Sequence, residues 1–426
     1  MSQSRMPLRR LALILSAALA ACSSGTQQSA QDDVVAAWAA APSDTFNGIV
    51  PAGATLRQFI TPHAAGTRVR LRLSNRLGTE PVNLSQVTVG RRDRGSVLHA
   101  ESLRTLAFNG KQAVVIAPGE TVISDFVDLE FQPFDKLGIS LTAASTLRNL
   151  PRHYQSLEIP YLSLAGDAAF LPLPLEQASN WFLISALDVQ GSEARHTVVA
   201  LGDSLTDGYV PAALCGGILG SPFVIGRDQR YPDYLQRRLF AAGRTELSVV
   251  SAGIAGNRVN ADGFSPEHGP ALLSRLQPDV LDLPNVRTVI LLQGINDLGL
   301  QLAPSAEQLV AGLAATVRQL KAGGVRVVLG TITPGRGFCT GPLSLLDPLT
   351  LGILSGSAAV DAARQQVNQW VRSGASGADA VLDADACLRD PLNPSYLARA
   401  YDSGDHLHPN VSGYEALAGC VDLEAL

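Results

Sequence analysis

The stretch that most narrows what this chain can fold into is His196-Thr-Val-Val-Ala-Leu-Gly-Asp-Ser-Leu-Thr-Asp-Gly-Tyr209. Thr197 to Leu201 is a short run of β-branched and apolar residues, the pattern of a strand buried on both faces. It stops at Gly202, and a hydroxyl, Ser204, follows at once between Asp203 and Thr206. Gly202 and Gly208 bracket the place where the chain must turn sharply out of the sheet. Ligands bind beyond the carboxyl ends of strands in open parallel sheets, so Ser204 stands where chemistry is usually done. The competing reading is a serine that merely caps the following helix. This stretch alone does not separate the two.

Downstream, β and α patterns alternate. Strand candidates are Thr197–Leu201, Leu247–Val250, Thr288–Leu292, Val325–Thr331 and Ala380–Leu382. Helix candidates are Tyr231–Ala242, Ala358–Val371, Val411–Ala418 and the amphipathic run Leu309–Leu320. Ser305-Ala-Glu-Gln308 reads as a capping box opening that run, and Gly323-Gly324 closes it. The expectation for 195–426 is an α/β unit: a flavodoxin-like parallel five-stranded sheet sandwiched by helices.

Upstream the pattern is different. Thr67-Arg-Val-Arg-Leu-Arg-Leu-Ser-Asn75 alternates strictly, which predicts a strand with Val69, Leu71 and Leu73 buried and Arg68, Arg70 and Arg72 in water. Similar short segments recur at Leu56–Ile60, Val87–Val89, Ala113–Ile116, Val122–Val127, Leu137–Leu141 and Trp181–Val189, set apart by Gly, Pro and Asn/Asp signals. Residues 33–190 are therefore expected to form an all-β, jelly-roll-like domain, with the boundary at Gln190–Ala194. A chain of 426 residues leaves room for two such domains.

The first 21 residues read as a leader. Arg5, Arg9 and Arg10 form a positive segment, and Leu11 to Ala20 form an apolar run too short to span a membrane as a mature helix. Leu19-Ala20-Ala21-Cys22-Ser23 looks like a bacterial lipobox, with Cys22 acylated and residues 22–32 a polar tether; an ordinary cleaved signal peptide is the alternative. The expected location is the cell envelope, at the outer membrane, with membrane contact through the lipid anchor only. A formal net charge of −5 gives no reason to expect a nucleic-acid partner. Cys215, Cys339, Cys387 and Cys420 remain, an even number that suggests two disulfides in an exported protein. Of three possible pairings, Cys215–Cys339 with Cys387–Cys420 is favoured. The first would join two loops at one edge of the sheet, and the second would tie the exit of the last strand to the last helix. No Cys or His spacing suggests a zinc or haem site.

Three further segments carry chemistry: Ser251-Ala-Gly-Ile-Ala-Gly-Asn-Arg258, Gln293-Gly-Ile-Asn-Asp297 and Tyr401-Asp-Ser-Gly-Asp-His-Leu-His-Pro409. A serine esterase needs a base within reach of the hydroxyl, a carboxylate to orient that base, and donors aimed at the developing oxyanion. Asp405 and His408, three apart, can stand side by side on one short turn. His406 competes as base, but its adjacency to Asp405 would tend to point it away. The N–H groups of Ser204 and Gly256 and the amide of Asn296 would make a three-donor oxyanion hole. Each piece alone is common in turns; the informative feature is four in order, three at strand ends and one in the final loop.

These motifs closely resemble the SGNH (GDSL-like) hydrolase family. Its four invariant residues map onto Ser204 in Gly-Asp-Ser-Leu, Gly256 in Gly-Ile-Ala-Gly-Asn, Asn296 in Gly-Ile-Asn-Asp and His408 in Asp-His-Leu-His-Pro, and Asp405 matches its triad acid. The chain is also similar to a branch with an extra N-terminal β domain, through Trp38-Ala-Ala-Ala-Pro42 and Arg68-Val-Arg-Leu-Arg-Leu-Ser-Asn-Arg76. The resemblance implies hydrolysis of lipid, aryl or carbohydrate esters with no metal or organic cofactor. The absence of a Gly-x-Ser-x-Gly elbow argues against the α/β-hydrolase fold. Two apolar loops, Val210–Arg230 and Phe338–Gly356, depart from the branch's usual pattern; they either shape the acyl or alcohol pocket or pack on each other. The expected activity is a carboxylic ester hydrolase acting through an acyl-enzyme on short-chain acyl esters. A lipase or lysophospholipase, a glycan O-acetylesterase, an O-acyltransferase and an inactive envelope binding lipoprotein are the alternatives.

Overall fold

In a computed structural model the chain is described over residues 33–164, 171–172, 180–211, 221–299, 305–338 and 356–426. The expectations for the leader, for Cys22 and the tether, for Cys215 and Cys339, and for most of the two apolar loops lie outside the described residues.

Five parallel strands build the C-terminal sheet: β1 His196–Gly202, β2 Leu247–Gly253, β3 Val286–Leu292, β4 Arg326–Gly330 and β5 Ala380–Leu382. Their spatial order is β2-β1-β3-β4-β5, the flavodoxin-like order. Side chains alternate between the two faces along each strand. Val199, Leu201, Val289 and Leu291 join one core with the helices Ala306–Ala322 and Ala358–Arg372. Val198, Ala200, Ile290 and Leu292 join the opposite core with Tyr231–Ala241 and Val411–Gly419. Both faces are thus covered, which explains why the strands read as continuous apolar runs. Ser305 caps its helix by accepting the Gln308 N–H.

Register matters most for the site. Gly202 pairs with Gly253 of β2 and with Leu292 of β3. The carboxyl ends of three neighbouring strands are therefore level. The segments that follow them leave the sheet side by side.

Among the described residues from 33 to 190 the strands form antiparallel sheets of five, eight and three, with one short 3-10 turn at Ala100–Ser102. The alternating strand runs Gly66–Ser74, with Val69, Leu71 and Leu73 fully buried. Its arginine face corrects the sequence reading in part: Arg68 is exposed as expected, but Arg70 and Arg72 are drawn inward. Arg72 is buried, and both Arg70 and Arg72 donate to Asp188, itself fully buried on the neighbouring strand Ile184–Gln190. Arg72 Nη1 also donates to the Asp282 carbonyl, 2.9 Å away in the α/β part. Pairing with a desolvated carboxylate is what lets two guanidinium groups turn inward. Trp181–Val189 is likewise two strands, broken at Leu183 (φ 62°), where the chain passes from one sheet to another. Val122–Val127 is also broken, between Thr121–Ile123 and Val127–Phe131.

The two parts meet along a buried seam. Ala36 on the strand Val34–Ala39 donates its N–H to Thr197 Oγ1 at 3.1 Å and accepts from Ser248 Oγ at 2.7 Å. His63 stands 2.6 Å from the Val249 carbonyl through Nδ1 and 2.9 Å from Asp233 Oδ1 through Nε2.

Candidate active site

The turn after β1 becomes a four-residue helix, Ser204–Asp207. Asp203, not Ser204, is its cap: Asp203 Oδ1 accepts the Leu205 N–H at 3.1 Å. That assignment leaves the serine hydroxyl to point elsewhere. Ser204 Oγ lies 2.9 Å from His408 Nε2, and His408 Nδ1 lies 2.6 Å from Asp405 Oδ2. The other Asp405 oxygen accepts the N–H groups of Leu407 and His408 and the Ser403 hydroxyl. A three-residue spacing allows this, because the carboxylate can cap its own turn while holding the imidazole that ends it. The Tyr209 ring stands edge-on to His408 at 4.7 Å, and Phe338 lies 6.1 Å away. His406 points out of this group. It adopts φ 70°, pairs with Asp402 at 2.6 Å and is half exposed.

The segments after the next two strands carry Gly256 and Asn296. Gly256 has φ +74°, and a Cβ there would fall 2.3 Å from the His268 ring, so both backbone and space require glycine. Asn296 Nδ2 donates to the Asn257 carbonyl at 3.1 Å, and the amide has a second N–H to offer. Its neighbour Asp297 accepts from the N–H groups of Val259 and Asn260. Consecutive residues of Gly-Ile-Asn-Asp thus clasp the loop that carries Gly256. Beneath it, Asn257 donates to the carbonyls of His268 and Pro270 and accepts from Arg275 and Gln293. Arg275, almost fully buried, donates to the carbonyls of Gly202 and Ala252 and pairs with Asp279.

Burial raises the Asp405 pKa, but the facing His408 and the hydrogen bonds outweigh it and hold the carboxyl below its usual range. It stays an acceptor. Asp203 behaves oppositely: burial pushes its carboxyl up to about 7, against the Leu205 and Gly294 N–H groups and His408. Its Oδ2 has no partner among the described residues. Burial also raises Asp297 despite its backbone donors, and lowers His268.

Cys387 and Cys420 are disulfide-bonded, with Cα atoms 6.4 Å apart, joining the helix Ala384–Leu388 to the end of Val411–Gly419. The sequence reading missed Asn257, His268 and Arg275. Asn257 stood beside a motif residue, but nothing local marked the other two.

The GDSL-like lipase/acylhydrolase family model matches residues 200–416, about half of the chain. The chain belongs to that family. No curated protein matches it. Similar solved structures include the native aryl esterase of M. smegmatis, at 17% identity and TM-score 0.39, covering 53% of this chain and 95% of that one. A GDSL-like lipase from Bacteroides thetaiotaomicron VPI-5482 matches at 15% identity and TM-score 0.34, covering 52% and 84%. The acetyl xylan esterase AlAXEase matches at 18% identity and TM-score 0.34, covering 53% and 96%.

Proposed function

We propose that this chain is a serine carboxylic ester hydrolase with Ser204 as nucleophile, His408 as general base and Asp405 as the group that orients it. The observation that carries the reading is the relay from Ser204 Oγ to His408 Nε2 at 2.9 Å and from His408 Nδ1 to Asp405 Oδ2 at 2.6 Å. Ser204 Oγ attacks the ester carbonyl while His408 takes its proton. The N–H groups of Ser204 and Gly256 and the Asn296 amide hold the oxyanion. His408 returns the proton to the departing alcohol, leaving an acyl-serine. Water, deprotonated by His408, then attacks that acyl group, and the acid leaves as Ser204 regains its proton.

Short-chain acyl esters are the substrates we favour. Trp38 and Trp181 of the all-β region are both buried and packed edge-on at 4.8 Å, so neither offers a face for stacking a sugar. We further propose export with lipid attachment at Cys22 and residence in the cell envelope, supported by the leader pattern. Loss of fatty-acid labelling in Cys22→Ala tests that.

The activity is tested with p-nitrophenyl acetate. Ser204→Ala should cost at least about three powers of ten in kcat, and wild-type rates from that variant would refute the assignment. A chain-length series of p-nitrophenyl esters beside acetylated xylan and lysophosphatidylcholine identifies the substrate class. Product analysis with an added alcohol separates hydrolysis from acyl transfer.

A further inference from the structure

The all-β region does more than abut the α/β part. His153, on its strand Leu147–Tyr154, is buried and reaches across the seam to the helix that begins with Ser204. Its Nδ1 faces the Ala41 carbonyl at 2.8 Å. Its Nε2 stands 3.1 Å from Oδ1 of Asp207, the last residue of that helix. Asp207 is also buried, and its Oδ2 accepts the Ala255 N–H at 3.2 Å. Ala255 immediately precedes Gly256. One carboxylate thus joins an imidazole of the all-β region, the nucleophile helix and the loop that presents an oxyanion donor. Arg230 reinforces the arrangement, donating to the Asp207 carbonyl at 2.9 Å and to the Ser156 carbonyl at 2.6 Å.

We propose that His153 is a positioning residue for the oxyanion hole, acting through Asp207 on the N–H of Ala255, the residue before Gly256. The inference rests on the esterase reading above. Gly256 lies at φ +74° and has no side chain to pin it, so the direction of its N–H depends on what holds its neighbours. Asn296 and Asp297 hold the loop on the C-terminal side, at Asn257, Val259 and Asn260. On the N-terminal side Ile254 donates its N–H to the Gly202 carbonyl, and the side-chain hold nearest Gly256 is Asp207 on Ala255. His153 bonds one of the two Asp207 oxygens, and without the imidazole that oxygen would be left buried and unpaired. The all-β region is then part of the catalytic apparatus.

A control is built into the same seam. His63 makes a second buried imidazole–carboxylate pair, but its Asp233 lies inside the helix Tyr231–Ala241 and reaches back to accept the N–H of the N-cap residue Arg230 at 2.7 Å. Removing His63 should therefore test seam stability with much less effect on the oxyanion loop.

The experiment uses the full chain. kcat and KM on p-nitrophenyl acetate are measured for wild type, His153→Ala, His153→Gln, His63→Ala, Asp207→Ala and the His153→Ala/Asp207→Ala double variant. Rates are normalised to sites counted by burst titration, so that only folded enzyme is scored, and Tm is recorded for each. His153→Ala should lower kcat by about 10- to 100-fold with KM within about threefold, because an oxyanion donor acts in the transition state. His153→Gln, which keeps an N–H directed at Asp207, should recover most of that loss. The double variant should be no slower than Asp207→Ala, since both residues act through one chain of contacts. His63→Ala should keep kcat within about threefold even where its Tm falls as far as that of His153→Ala. The inference is overturned if His153→Ala keeps wild-type kcat, or if kcat follows Tm equally in the two histidine variants. An active wild type indifferent to His153 removes this inference and leaves the esterase reading standing; a wild type no faster than Ser204→Ala removes both.

Discussion

Arg275 donates to the backbone carbonyl of Gly202 at 3.0 Å, and through its other Nη to that of Ala252 at 2.8 Å. One guanidinium thereby ties together the carboxyl ends of the two strands from which the Ser204 turn and the Gly256 loop depart. Its charge is balanced by Asp279, which also pairs with Arg76 of the all-β region at 2.8 Å. Replacing it by methionine removes the donors and leaves two carbonyls, Asn257 Oδ1 and a buried carboxylate poorly partnered. We expect Arg275→Met to lose about 3 kcal/mol of stability and to lower kcat even where it folds. Urea unfolding checks the first expectation; a loss below about 1 kcal/mol would show that the tie is dispensable.

Gly256→Ala should be far more damaging to rate than to folding. The added Cβ meets the His268 ring and the backbone must hold φ +74°, so the loop shifts and its N–H swings away. A kcat reduced by roughly two powers of ten or more, with KM little changed, is the expected result. Equal losses in KM and kcat would point to a blocked pocket instead.

Asp203 predicts a stability profile with a definite sign. Its folded-state carboxyl is raised to about 7, whereas the unfolded chain gives up that proton near the ordinary aspartate value of 3.8. Between those values the folded state binds more protons, so this contribution is complete below about pH 4 and declines as pH rises toward 7. Asp405, held below its usual range, works the other way and only at lower pH. Asp203→Asn keeps a capping oxygen and does not titrate. The variant should therefore gain stability relative to wild type as pH climbs from 4 to 7. Denaturant unfolding at three pH values measures this, and a constant difference across the series would contradict it.

His406 and His408 make an internal comparison. His408→Ala should abolish turnover to within about three powers of ten of the background. His406→Ala should keep kcat within about threefold, since among the described residues its exposed ring pairs with Asp402 and exposed pairs contribute little. The reverse ranking in a p-nitrophenyl acetate assay would reassign the base.

Much of this protein is written in short-range pattern. The strand Ala380–Leu382 and helices such as Tyr231–Ala241 follow from apolar spacing and from caps such as Ser305, because periodicity reports which face of an element is buried. Asp405 and His408 were readable together because three residues of chain put them on one turn. The five-stranded sheet was legible for the same reason, since doubly covered strands must be apolar throughout. What local pattern does not carry is which distant residue completes each polar group. Arg70 and Arg72 of Gly66–Ser74 look solvated until Asp188 draws both inward and Arg72 reaches the α/β part. Arg275 finds Gly202 across 73 positions, His153 finds Asp207 across 54, and Ser204 finds His408 across 204. Sequence determined the elements and the residue types at their ends. The level register of three strand ends, and the buried partners that hold the loops leaving them, were decided only when long-range packing removed water and obliged each desolvated donor and acceptor to find a mate.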